Sequence, residues 1–120
     1  MAVLLIVEDE EQVRVLAESI LQEHGHTTLS ASTLEQAIAI LEGEHKVELL
    51  FTDLGLQEDL QAGLKAAQEA VKRVPALPVL YTTGQGVTDG MKAMFVERHG
   101  FIAKPYTFEQ LITAVANLLA

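Results

Sequence analysis

Cysteine is missing from this chain, which excludes disulfides and thiolate metal sites and fits a reducing compartment, with the cytoplasm as the expectation. Basic residues are scarce: eight Lys and Arg stand against 17 Asp and Glu, giving a formal charge of −9. A nucleic-acid face needs clustered cations to replace the counterions on phosphates, and the few present here are scattered. Long hydrophobic runs are absent as well. The apolar stretch before Glu8-Asp9-Glu10-Glu11 is about six residues, too short to span a bilayer and without the basic lead of a signal peptide. A soluble protein with neither membrane nor nucleic-acid partner is expected. Also lacking are repeats, linkers and low-complexity tracts, and 120 residues suit one domain over 1–120 that buries about two-thirds of its unfolded surface. No dinucleotide fingerprint, Gly-Lys-Ser/Thr phosphate loop or Gly-x-Ser-x-Gly elbow is found.

What is present is a set of short apolar runs that stop at reactive side chains. Val47 to Asp53 is continuous and β-favouring until the aspartate; Ala2 to Val7 delivers Glu8 and Asp9; Leu77 to Thr82 delivers Thr83; Phe101 to Ala103 delivers Lys104-Pro105. Such runs are expected to be buried strands. Thr27 to Ser30 is a less apolar strand suited to an edge. Between them lie helical patterns. The first starts near Glu10 with Val13, Leu16, Ala17, Ile20 and Leu21 facing inward; the second, capped by Ser32 or Thr33, carries Leu34, Ala37, Ile38 and Leu41. The third carries Leu64, Ala67, Val71 and Val74 and stops at Pro75, after a polar loop from Gly55 to Gly63. A fourth, capped by Thr88 or Asp89 after the loop Thr83-Gly84-Gln85-Gly86, carries Met91, Met94 and Phe95; the last starts near Thr107 and buries Phe108, Leu111, Ile112, Val115 and Leu118.

Five strands alternating with five helices predict an α/β fold, a doubly wound five-stranded parallel sheet in the order 2-1-3-4-5, flavodoxin-like. That order sets the ends of strands one and three side by side, so Glu8, Asp9 and Asp53 converge. Carboxylates a few ångströms apart repel by roughly 1 kcal/mol per pair even in water-like surroundings. A hard divalent cation, Mg²⁺ or Mn²⁺, relieves this with oxygen ligands. The four histidines show no metal spacing and are expected to be solvated.

Val7-Glu8-Asp9, Thr52-Asp53, Tyr81-Thr82-Thr83-Gly84 and Ala103-Lys104-Pro105-Tyr106 resemble, in order and spacing, the receiver domain of two-component response regulators. The wording around Thr83 and the long loop after Asp53 look most like receivers attached to hybrid histidine kinases. The resemblance covers the whole chain. It implies a phosphoacceptor with self-phosphorylation and self-dephosphorylation chemistry, not a conventional turnover enzyme. Asp53 would take a phosphoryl group from a sensor or hybrid histidine kinase or a histidine phosphotransfer protein. Asp9 would bind Mg²⁺ directly and Glu8 as an outer or water-mediated ligand, with the Gly55 carbonyl as a further ligand. Thr83 would donate its hydroxyl to a phosphoryl oxygen, Lys104 its ammonium, and Phe101 would act with Thr83 as a rotameric switch. The regulated surface for a downstream protein target would be the helix 4–strand 5–helix 5 face with Lys92, Phe101 and Tyr106. Two departures from the family pattern stand out. Gln57 occupies the usual proline position beyond the acceptor, and the expected glycine, Gly63, lies ten residues on instead of eight or nine. An aspartyl-phosphate phosphatase would want an aspartate where Gly55 stands. A pseudo-receiver, binding partners without being phosphorylated, is the alternative.

Overall fold

A computed structural model describes residues 2–84 and 86–120, with the side chains of Glu58 and Leu60 left aside; Gln85 of the expected loop lies outside the described residues. Five strands, β1 (Val3–Val7), β2 (Thr27–Ala31), β3 (Leu49–Asp53), β4 (Val79–Thr83) and β5 (His99–Ala103), pair in parallel in the order β2-β1-β3-β4-β5. The helices are α1 (Glu11–Glu23), α2 (Leu34–Glu42), α3 (Leu60–Arg73), α4 (Asp89–Lys92) and α5 (Phe108–Leu119). No helix among the described residues is long and apolar enough to cross a membrane.

Every residue of β3 and β4 is buried, as a sheet covered on both faces requires. Alternate side chains serve two different cores. Leu4, Ile6, Leu49, Phe51 and Leu80 pack with Ala17, Ile20 and Leu21 of α1 and Leu111 and Val115 of α5. Leu5, Val7, Leu50, Val79 and Tyr81 pack with Ala37 of α2 and with Leu64, Ala67 and Ala70 of α3. At roughly 25 cal/mol per Å² of apolar surface, these two layers are the main source of stability.

Several boundaries differ from the sequence expectation. Helix α3 starts at Leu60, because the Asp59 side chain caps it by accepting from the Gln61 amide; the polar loop is correspondingly short and closes in a 3-10 turn over Leu56–Glu58. Helix α4 is one turn long. After Lys92 the chain turns instead of continuing, and Phe95 stacks on Tyr81 with ring centroids 4.0 Å apart. The Tyr81 hydroxyl accepts from the Val96 amide at 3.0 Å, which fixes that turn to the sheet. Strand β5 starts two residues early because Val79 and Leu80 give His99 and Gly100 a pairing edge. Leu16 and Phe108, expected inside, are 50% and 58% exposed, and Val74, the residue closing α3, is also exposed.

Gly63 explains how α3 reaches the sheet. A Cβ there would overlap the Asp53 carbonyl oxygen and stand 2.8 Å from the Leu54 Cα. Only glycine permits this approach. Thr52 confirms the contact by donating its hydroxyl to the Gly63 carbonyl at 3.4 Å.

Candidate functional site

The carboxyl ends of β1, β3, β4 and β5 meet at one sheet edge, the usual place for a ligand in this class of sheet. Glu8 and Asp9 follow β1, Asp53 ends β3, and carboxylate oxygens of all three lie within 4.8 Å of one another. Glu8 and Asp53 are each 4% exposed. Lys104, just beyond β5, reaches over them: its Nζ stands 2.7 Å from Glu8 Oε1, 3.2 Å from Asp53 Oδ2 and 3.8 Å from Glu10 Oε1. Its backbone N–H is tied to the Thr83 carbonyl at 2.9 Å. The ammonium is therefore placed by β4 as well as by β5.

Asp53 is held by a second donor, the Gly55 N–H, 2.9 Å from Oδ1. Each carboxylate oxygen of Asp53 thus has a partner. Glu8 accepts at Oε2 from the Glu10 N–H at 3.1 Å, and its backbone carbonyl accepts from Arg14 Nη1 at 3.0 Å. Asp9 accepts at Oδ2 from the Gln57 N–H at 3.1 Å.

The electrostatics show an acidic site short of positive charge. Burial, reinforced by the charge of Asp53, pushes the Glu8 carboxyl up to about 7, against the lowering hydrogen bonds from Lys104 and Glu10. For Lys104 burial is the largest single influence and acts downward; the hydrogen bond and charge of Glu8, with Asp53, outweigh it and hold the ammonium above its ordinary range. Burial and then the Glu8 charge push the Tyr106 hydroxyl up to about 12. One ammonium among three close carboxylates leaves a negative surplus. An all-oxygen donor set of this kind fits a hard divalent cation, with Glu8, Asp9 and Asp53 as the groups that would hold it.

Thr83 ends β4 opposite Ala103, and Thr82 pairs with Asp53. The two threonines point to opposite faces by strand alternation. Thr82, fully buried, borders a small void with Phe51, Asp53 and Tyr106 on the α1/α5 side, and its hydroxyl has no partner among the described residues. Phe101 lies on the exposed side of β5 at 38% exposure. It lines a groove with Lys92, Phe95 and His99. Tyr106 is not part of that surface: it is half-buried on the other face of the sheet, its ring edge-on to Phe51 at 5.8 Å. A second groove, lined by Glu10, Gln12, Val13, Leu16, Lys104 and Tyr106, opens directly beside the carboxylates.

Two residues at this site carry no signal that the sequence reading used. Arg14 lies six positions from the Glu8 carbonyl it binds, and a lone arginine at the start of an acidic helix was the available clue. Gln57 stood out only as a departure in the loop, with nothing to point to Asp9. Of the histidines, His26 is half-buried and accepts from the Ala2 N–H at 3.2 Å, so it is only partly solvated and helps to hold the N-terminal end of β1.

Comparison with known proteins agrees with this geometry. Residues 4–116 match the family model of the response regulator receiver domain. A putative NtrX-like response regulator of Rickettsia bellii is 31% identical over 109 residues, which is 90% of this chain and 23% of that protein. The sensor kinase CckA of Brucella abortus is 29% identical over 98% of this chain and 12% of its own length. Matches therefore fall on regulators and on kinases. Among solved structures, a response regulator receiver protein from Sinorhizobium medicae superposes with a TM-score of 0.88 at 28% identity, covering 98% of this chain and 94% of that one. The receiver domain of NtrX from Brucella abortus gives 0.83 at 30% identity, with 97% of both chains covered. The chain spans about a quarter of the length of the NtrX-like relatives. With the strand order, the clustered acids at its edge and a family match over nearly all of its length, the chain belongs to the response regulator receiver domains.

Proposed function

We propose that Asp53 accepts a phosphoryl group from the phosphohistidine of a kinase or phosphotransfer protein, with Mg²⁺ held by Glu8, Asp9, Asp53 and the Gly55 carbonyl. The observation that carries this reading is the Lys104 ammonium, 3.2 Å from Asp53 and 2.7 Å from Glu8, above a cluster with negative charge to spare. When bound, the ion would supply positive charge against the phosphoryl oxygens.

An Asp53 carboxylate oxygen attacks the phosphorus of the phosphoimidazole. The P–N bond breaks, its electron pair passes to the imidazole nitrogen, and that nitrogen takes up a proton. The product is a mixed carboxylic-phosphoric anhydride, which water later hydrolyses back to Asp53. Phosphoryl transfer asks a protein chiefly for alignment and for charge placed against the equatorial oxygens. The Gly55 N–H holds one Asp53 oxygen and fixes the carboxylate plane. Lys104 supplies a cation to the phosphoryl oxygens, and the Thr83 hydroxyl a donor. The groove of Val13, Leu16 and Tyr106 beside the site is where the donor histidine would approach. On the output side, the β5 edge with Lys92 and Phe101 would change as Thr83 and Phe101 respond, by a shift between pre-existing states.

The test is incubation with Mg²⁺ and acetyl phosphate, followed by intact-mass measurement. Wild type should gain a single phosphoryl group, and Asp53→Asn, which keeps the shape without the nucleophile, should gain none. Equal labelling of both proteins would show the acceptor to be elsewhere. An unlabelled wild type would favour the pseudo-receiver alternative.

A further inference from the structure

Gln57 stands in the left-handed region, with φ 54° and ψ 30°, the one residue other than glycine with positive φ among those described. Side chains rarely adopt this conformation, and where they do, some surrounding contact holds them there. Two contacts do so here. The Gln57 N–H donates to Asp9 Oδ2 at 3.1 Å. Its side-chain Oε1 accepts from the Leu34 N–H, also at 3.1 Å, 23 residues away in sequence.

Leu34 is the first residue of α2, so its N–H is one of the amides that a helix cannot satisfy internally. The local cap does not cover it: the Thr33 hydroxyl accepts from Gln36 instead, and Gln36 returns its side-chain oxygen to the Ser32 N–H and hydroxyl. Leu34 is thus served from across the site by Gln57. Asp9, through the backbone and side chain of one residue, is connected to the start of α2. The left-handed twist makes the bridge possible, because it points the residue's N–H toward β1 while its side chain spans to α2.

We infer that Gln57 is a positioning residue that couples the state of Asp9 to the first turn of α2. A cation taken up by the carboxylates draws on the same Asp9 carboxylate that Gln57 engages at Oδ2. Any adjustment of that N–H is passed along a single side chain to the Leu34 amide. This links the site to the α2 side of the sheet, whereas the output described above runs through β4 and β5. The coupling rests on the proposed cation site, but the tether does not, and the experiment separates them.

Amide exchange and ¹H–¹⁵N shifts would be followed in the metal-free protein and during titration with MgCl₂, for wild type, Gln57→Gly and Gln57→Glu. Glycine tolerates φ > 0 and keeps the backbone donor to Asp9 but removes the tether; glutamate retains an acceptor at the same reach. Without metal, the Leu34 amide should exchange roughly fivefold faster in Gln57→Gly than in wild type, as loss of a net hydrogen bond of about 1 kcal/mol gives, and Gln57→Glu should restore the protection. Unchanged exchange at Leu34 in Gln57→Gly would overturn the tether. With Mg²⁺, the Glu8, Asp9 and Leu34 amides of wild type should shift along one titration curve, while in Gln57→Gly the Leu34 response disappears and that of Asp9 stays. A Leu34 shift that persists in Gln57→Gly, or is absent from wild type while Asp9 moves, would refute the coupling and leave the cation site standing. Silence at Glu8 and Asp9 as well would refute the cation site, and the coupling with it.

Discussion

Gly63→Ala tests the contact between α3 and the strand that carries Asp53. The added methyl would overlap the Asp53 carbonyl oxygen, and it would stand 2.8 Å from the Leu54 Cα and 3.0 Å from the Asp53 carbonyl carbon. All three are backbone atoms of a chain segment buried on both faces, so no side chain can swing aside. The first turns of α3 must lift by about 1 Å to regain an ordinary van der Waals separation. That movement opens the packing of Ala62, Ala66 and Ala67, which are buried. Overpacking of this kind costs about 1–3 kcal/mol and occasionally more, and alanine returns about 1 kcal/mol through its better helix propensity. With backbone on both sides of the clash the upper end applies, leaving a net loss of about 2 kcal/mol. For a chain of this size the midpoint of thermal unfolding should fall by roughly 6–12 °C. Urea titration followed by circular dichroism would measure the loss. Gly90→Ala is the control: it lies exposed in α4, and its methyl would meet only the Thr88 hydroxyl at 3.8 Å, so it should be neutral or gain up to about 1 kcal/mol. A Gly63→Ala protein as stable as wild type would refute the close approach that places Asp53.

Lys104→Gln should still bind Mg²⁺, since it removes a competitor for the carboxylates, but label from acetyl phosphate on the order of 10²-fold more slowly, the scale for losing one charge stabiliser; unchanged rates would remove Lys104 from the chemistry. The Glu8 carboxyl is raised to about 7 in the folded chain from 4.5. Its protonated form is thus favoured by folding. In the metal-free protein its contribution to stability is fully present below pH 4.5 and lost as pH rises through about 7. Thermal midpoints of metal-free wild type and Glu8→Gln should therefore draw apart across that window, with wild type falling relative to the variant, and parallel curves would contradict the burial of the acid. Tyr81→Phe leaves the Val96 amide without its acceptor and should cost about 1–2 kcal/mol, with faster hydrogen exchange at Val96; intact protection there would mean that the turn after α4 holds itself.

The fold was legible because its strands are continuous apolar runs that stop at a charged or hydroxyl side chain, a pattern that marks both a buried strand and its open end. Glu8, Asp9 and Asp53 stand at such strand ends in the sequence, and the structure brings them together; Thr83 and Lys104 stand at strand ends too, but only the family resemblance singled them out. The start of α3 was hidden because Ala62, Gly63, Ala66 and Ala67 are too small to draw a hydrophobic period, and their smallness is what permits the helix to come so near. The one-turn α4 was hidden for the opposite reason. Met91, Met94 and Phe95 keep helical spacing, yet the ring of Tyr81 captures Phe95 and its hydroxyl takes the Val96 amide, contacts made by a residue ten or more positions away. Arg14 reaches back six residues to the Glu8 carbonyl, and Gln57 acts through two bonds to residues 48 and 23 positions away; such bonds leave no local trace in composition.

Thr82 and Thr83 are neighbours in sequence, but one faces α1 and α5 while the other faces the layer of α2, α3 and α4. For anyone rewiring a signalling pathway, this divides the molecule along the plane of its sheet. If the donor docks and the target binds as proposed, the residues of the donor groove, such as Val13 and Leu16, can be exchanged on one side, and those of the output groove, such as Lys92 and Phe101, on the other. Only the row of side chains along the common edge has to be inherited intact.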